Sequence, residues 1–138
     1  MDTNVFIAAM LSPSGENRDA LRFCLEGRAH PLMSAALFHE YEDVMRRPNP
    51  MQKSPLRPEE QQTLFEAFLS VCEWVRIYFI WRPNLPDEGD NHLVELAIAG
   101  GADTIVTNNV RDVRRGELSF PRLRILTPAE FLQNHQNL

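Results

Sequence analysis

The feature that most constrains this chain is a change of rhythm that recurs along it. Stretches with apolar residues at helical spacing alternate with short β-branched or apolar runs. The helical stretches are Glu16 to Gly27, Ala35 to Arg47, the segment opened by Pro58, Asp90 to Ala99, and a last one after Thr127. Between them lie Pro31 to Ser34, Trp74 to Phe79, Thr104 to Thr107 and Arg124 to Leu126. This alternation predicts an α/β domain with a mainly parallel sheet, because parallel strands need long crossover connections.

The punctuation agrees with the pattern. Gly27 and Gly100-Gly101 are helix stops. Pro48-Asn49-Pro50 ends the second helix, and a polar, proline-rich loop follows to Arg57. Pro58 with Glu59 and Glu60 suits a first helical turn. Thr127, Pro128 and Glu130 are spaced as a capping box. Asp2 to Leu11 starts polar and turns apolar, which suits a strand end running into a short helix. At 138 residues the chain is expected to form a single domain over 1–138.

In an open parallel sheet the site lies beyond the carboxyl ends of the strands. Several carboxylates fall at such junctions. Asp2 precedes the first apolar run, Asp90 opens a helix, and Asp112 follows the Thr104–Thr107 strand. Glu40 lies inside the second helix, at the edge of the stripe formed by Leu37, Phe38, Tyr41, Val44 and Met45. Carboxylates that converge repel one another, and hard divalent cations relieve that cost. Oxygen-only ligands favour Mg²⁺ or Mn²⁺ over zinc. Such ions can activate water and stabilise the leaving oxygen of a phosphodiester. Each residue also has a plainer reading. Asp2 could be a loose terminal residue, Glu40 a solvated helix carboxylate, Asp90 part of a cap with Asp87, and Asp112 a partner for Arg115.

Other chemistries find less support. His30, His39, His92 and His135 lack the spacing of a zinc hydrolase and read as structural or surface residues. Cys24 and Cys72 read as reduced, buried thiols, with a disulfide between them left open. Trp74 and Trp81 flank a strand and read as packing residues. The formal net charge of -5 argues against bulk coating of nucleic acid, but not against a carboxylate-based site. No apolar run is long enough for a bilayer, and the start lacks a basic leader, so a cytoplasmic protein without a membrane association is expected.

Order and context together point further. Asp2-Thr3-Asn4-Val5-Phe6-Ile7 resembles the opening motif of PIN domains. Ser34 through Arg47, followed by Pro48, resembles their second motif, centred on Glu40. Asp87 through Gly101, followed by Ala102-Asp103, is similar to the third, with Asp90. Thr104 through Val113 resembles the fourth, with Thr107, Asn109 and Asp112 at its polar positions. The variety most similar to this chain is the VapC-like toxins of bacterial toxin–antitoxin pairs.

The resemblance implies a three-layer α/β/α PIN-like domain and a metal-dependent endoribonuclease, a hydrolase leaving a 5′-phosphate and a 3′-hydroxyl. Asp2, Glu40, Asp90 and Asp112 would hold Mg²⁺ or Mn²⁺ and carry catalysis. Asn4, Thr107 and Asn109 would orient ligands or substrate. Arg46, Arg47 and Arg111, with Arg114 and Arg115 beside them, could grip RNA phosphates. RNA as substrate, a cognate antitoxin and a homodimer are the expected partners. Two rival functions are a catalytically lapsed fold that binds protein or RNA, and a housekeeping nuclease. The family usually carries a hydrophobic strand before the first aspartate, and only Met1 stands there, so the first strand is expected to be truncated. Asn109 stands where many members carry an acid.

Overall fold

The structure is a computed structural model that describes residues 1–12, 14–77, 88–113 and 122–136; the side chains of 88–91, 112 and 136 fall outside that description. Its elements run α1 (Thr3–Leu11), α2 (Glu16–Leu25), β1 (Leu32–Met33), α3 (Ala35–Met45), α4 (Pro48–Met51), α5 (Pro58–Val71), β2 (Glu73–Trp74), α6 (Glu88–Gly100), β3 (Thr104–Val106), α7 (Val110–Val113), β4 (Arg124–Leu126) and α8 (Pro128–Gln136).

The α/β expectation holds in a helix-rich form. Among the described residues the strands are short and make two separate parallel pairs, β1 with β2 and β3 with β4. A three-layer arrangement around one continuous sheet is not seen among them. Met33 lies opposite Trp74, and Ile105 opposite Ile125.

Helix α1 sits at the centre. Thr3, Val5, Phe6, Ile7, Ala9 and Met10 are all buried, so the helix is enclosed on nearly every side. That explains its all-round apolar sequence, which carries no single stripe. Phe6 reaches one core, where its ring lies 5.2 Å from Tyr41, 5.8 Å from Phe65 and 5.3 Å from Phe68. Val5 faces a second, smaller core with Ala20, Val106 and Phe131.

Several details differ from the sequence-based expectations. Asp2 to Leu11 contains no strand; the helix begins at Thr3 and Asp2 is its N-cap residue. β2 has only two residues; Val75 still donates its amide to the Met33 carbonyl at 2.8 Å, and Tyr78 and Phe79 lie outside the described residues. Pro48 opens a short helix of its own, since proline fits a first helical turn even as it stops the preceding helix. Helix α6 starts at Glu88, which puts Asp90 in its first turn rather than at its opening residue. Asp87 and Trp81 lie outside the described residues. Trp74 is 53% exposed, with one face toward Phe38 at 5.5 Å. Cys24 and Cys72 are both free thiols.

The terminal cap is as the spacing predicts. The Glu130 amide donates to the Thr127 hydroxyl at 3.1 Å, and the Thr127 amide donates to the Glu130 carboxylate at 3.1 Å. Gly101 stops α6 with φ at 71°, a conformation that costs glycine little. Gly100 is tight for another reason. A Cβ there would come within 2.4 Å of the Leu32 side chain, so its bareness lets α6 lie against β1.

Candidate active site

The site begins at the junction of α1 and β3. The backbone amide of Asp2 donates to the Val106 carbonyl at 2.9 Å, which pins the start of α1 to the end of β3. The Asp2 side chain turns inward and is 5% exposed as a residue. It does not cap its own helix. One carboxylate oxygen instead accepts a 2.7 Å hydrogen bond from the Thr107 hydroxyl.

Thr107 is the hub of this corner and is fully buried. While its hydroxyl donates to Asp2, its oxygen accepts from the Asn109 amide at 3.0 Å and from the Asn4 side chain at 3.4 Å. Asn4 in turn accepts from the Asn108 amide at 3.1 Å. These bonds leave the Thr107 proton aimed at Asp2, which fixes the carboxylate's orientation. The three polar residues expected to orient ligands, Asn4, Thr107 and Asn109, therefore form one network around Asp2.

Glu40 arrives from α3. It follows its helix's Ser34 N-cap, whose hydroxyl accepts from the Leu37 amide at 3.2 Å, and stands beside fully buried Tyr41. The Tyr41 hydroxyl donates to the Met1 carbonyl at 2.7 Å, tying α3 to the residue before Asp2. Glu40 lies close enough to Asp2 for its charge to push the Asp2 carboxyl upward. The larger cause of that upward push is burial, and the Thr107 hydrogen bond offsets it only in part.

His92 is the residue the sequence reading passed over. Its Nε2 lies 2.6 Å from Glu40, on the same helix turn as Asp90. Burial alone would raise the Glu40 acid. The His92 hydrogen bond, the neighbouring Thr3 hydroxyl and the His92 charge together outweigh it and hold Glu40 below its ordinary value. The available signal was position: His92 sits two residues beyond Asp90, and no zinc-type spacing is needed for a helix histidine to hold a carboxylate.

Helix α6 packs on α3 and carries Asp90 in its first turn, at the end where His92 meets Glu40. Asp112 lies in α7, which follows β3 and the Thr107 corner. The side chains of Asp90 and Asp112 fall outside the described residues. Among the described residues no group of three His, Cys, Asp or Glu gathers in ligand geometry. Of the arginines, Arg46 lies 3.8 Å from Glu42 and Arg47 pairs with Asp43, so both are engaged with carboxylates on their own helix; Arg111 is exposed.

Asp2 and Glu40 fit a hard divalent cation. They are two near carboxylates, one buried and held against its own charge. The adjacent Thr3 hydroxyl is buried and makes no hydrogen bond of normal geometry. An all-oxygen donor set of this kind suits Mg²⁺ or Mn²⁺.

The fold, this corner and the chain's profile converge on one class. The PIN-domain family matches residues 1–111, and the chain belongs to that family. PIN domains are generally nucleases, hydrolases that typically use divalent metals. No curated protein and no solved structure matches the chain. Among the described residues no helix is long and apolar enough to cross a membrane.

Proposed function

We propose that this protein is a Mg²⁺- or Mn²⁺-dependent endoribonuclease, the toxin of a toxin–antitoxin pair. The observation that carries the reading is the meeting of Asp2 and Glu40, 38 positions apart in sequence, close enough that one charge disfavours the other. A divalent cation held between them would relieve that repulsion.

Asp2 and Glu40 hold the cation in this reading, with Asp90 and Asp112 completing the set. Thr107 locks Asp2 in one rotamer, and His92 does the same for Glu40, so neither carboxylate has to be ordered when the ion enters. Held by these residues, Mg²⁺ or Mn²⁺ would supply an acidified water and charge neutralisation at the phosphate. Burial at Asp2 keeps bulk water from screening that charge. Exposed Arg111 would grip a phosphate flanking the cut in this reading; Arg46 and Arg47 would have to exchange their carboxylate partners for phosphate first. Single-stranded or structured RNA, an antitoxin protein and a second copy of the chain complete the proposed set of partners in the cytoplasm.

The test is RNA cleavage with Mg²⁺ or Mn²⁺, comparing the wild type with Asp90→Asn. The proposal expects metal-dependent cleavage that drops at least ~100-fold in the variant. Equal cleavage by both proteins would remove Asp90 from the site. No cleavage of any RNA by wild type with either metal would remove the nuclease reading.

A further inference from the structure

Buried side-chain polar atoms are almost always hydrogen-bonded, so each exception calls for a physical reason. Among the described residues two such atoms lack a partner, the Thr3 hydroxyl and Nδ1 of His92. Both belong to residues that border Glu40. His92 engages Oε2 of that carboxylate through Nε2 at 2.6 Å, so its unpartnered atom is the far nitrogen of a ring already in use. Thr3 differs, because the unpartnered atom is the only polar atom its side chain has.

Thr3 is the first residue of α1 and is 4% exposed. Its backbone amide favours the charged form of Asp2, and its hydroxyl favours that of Glu40. The hydroxyl does so without reaching hydrogen-bond geometry. A helix threonine ordinarily satisfies its hydroxyl by turning it to solvent or by bonding a nearby backbone group. Burial of α1 on nearly every side closes the first route, and the second is not taken. Valine would fill the same volume with no polar atom left over. The hydroxyl therefore costs the ion-free protein stability. That cost falls beside the two carboxylates that would hold the cation.

We infer that Thr3 is a positioning residue of the cation site: its hydroxyl donates to Glu40 in the ion-loaded protein and fixes the orientation in which that carboxylate meets the ion. The inference deepens the nuclease reading and rests on its cation site. Asp2 already has a buried hydroxyl donor, Thr107 at 2.7 Å. Thr3 gives Glu40 the same kind of support, alongside the His92 ring. The strain of an unmet hydrogen bond in the empty site then becomes a gain on loading.

The test separates stability from ion binding in Thr3→Val and Thr3→Ser, with Mn²⁺ as the probe. Thermal unfolding gives the metal-free Tm, and the paramagnetic resonance of free Mn²⁺ gives Kd. Thr3→Val keeps the shape and deletes the hydroxyl. It should raise the metal-free Tm by about 2–4 °C, since no unpartnered hydroxyl remains. It should also weaken Mn²⁺ binding about 10-fold. Thr3→Ser keeps the hydroxyl and loses a buried methyl. It should lower the metal-free Tm yet hold Mn²⁺ within about 3-fold of wild type. Stability and affinity thus move in opposite directions in the two variants, which a purely structural threonine would not produce. Wild-type Mn²⁺ affinity in Thr3→Val overturns the inference and leaves the cation site standing. So does a fall in metal-free Tm on that change, which would show the hydroxyl already bonded. So does a Thr3→Ser protein that folds but binds as weakly as Thr3→Val. No Mn²⁺ binding by wild type overturns the cation site and the inference with it.

Discussion

Helices α1 and α3 build two adjoining regions with opposite physics. From one, Phe6 and Tyr41 meet Phe65 and Phe68 in edge-to-face, tilted and stacked pairs, fully or nearly fully buried. From the other, Asp2 and Glu40 meet beside them, with Asp2 equally buried but carrying a charge that its surroundings disfavour. Asp2 is one turn before Phe6, and Glu40 is one residue before Tyr41. The aromatic region obeys every local rule of stability. The acidic corner breaks one, as sites built for a ligand often do.

The largest expected contrast comes from the aromatic side. Phe6→Ala removes a fully buried ring at the meeting point of three others and should cost about 3–5 kcal/mol, measured by denaturant unfolding. A loss under ~1 kcal/mol would mean the core had collapsed around the gap and that α1 is not its centre.

Tyr41 joins the two regions, and Tyr41→Phe keeps the ring while deleting its bond to Met1. The change should cost about 1 kcal/mol, because the Met1 carbonyl loses its donor. A larger effect on metal response than on stability would show that the bond serves chiefly to place Asp2.

The smallest effect runs the other way. Asp2 titrates above its ordinary 3.8, through burial first and the Glu40 charge second. The folded protein then keeps a proton that the unfolded chain has released. Stability from this group is therefore greatest in acid and declines as pH rises from about that value through the folded pKa. Glu40 is shifted down and acts oppositely, adding stability above its ordinary 4.5 and losing it as pH falls. In metal-free buffer at neutral pH, Asp2→Asn should raise Tm by a few degrees, about what 1 kcal/mol gives at this size. It should also leave a stability that only rises with pH across the acid range. A fall in Tm would mean the Thr107 bond outweighs the burial cost.

Much of the fold was legible because helix periodicity and stop signals are local. Helices α2, α3, α5 and α8 and strands β1, β3 and β4 lie where the patterns put them. At the start of the chain the short helix was legible but the strand end expected before it is absent: the helix takes up Thr3 to Leu11, and being buried on every side it has no stripe to mark where it begins. The Trp74 strand was overextended because β-branched content marks propensity, while pairing depends on what lies alongside. At the site, motif order singled out Asp2 and Glu40 and the polar trio around Thr107, residues that the structure brings together. It could not reveal His92, whose link to Glu40 depends on how α6 packs on α3. Nor could it show that Arg46 and Arg47 spend their charge on neighbours one turn away.

The most direct test of the acidic corner is Mn²⁺ titration followed by thermal unfolding, with wild type and Asp2→Asn side by side. The account predicts that wild type gains about 2.7 kcal/mol at a hundredfold excess over Kd while the variant gains little at the same concentration. Identical Mn²⁺ shifts in the two proteins, or none in either, would contradict it.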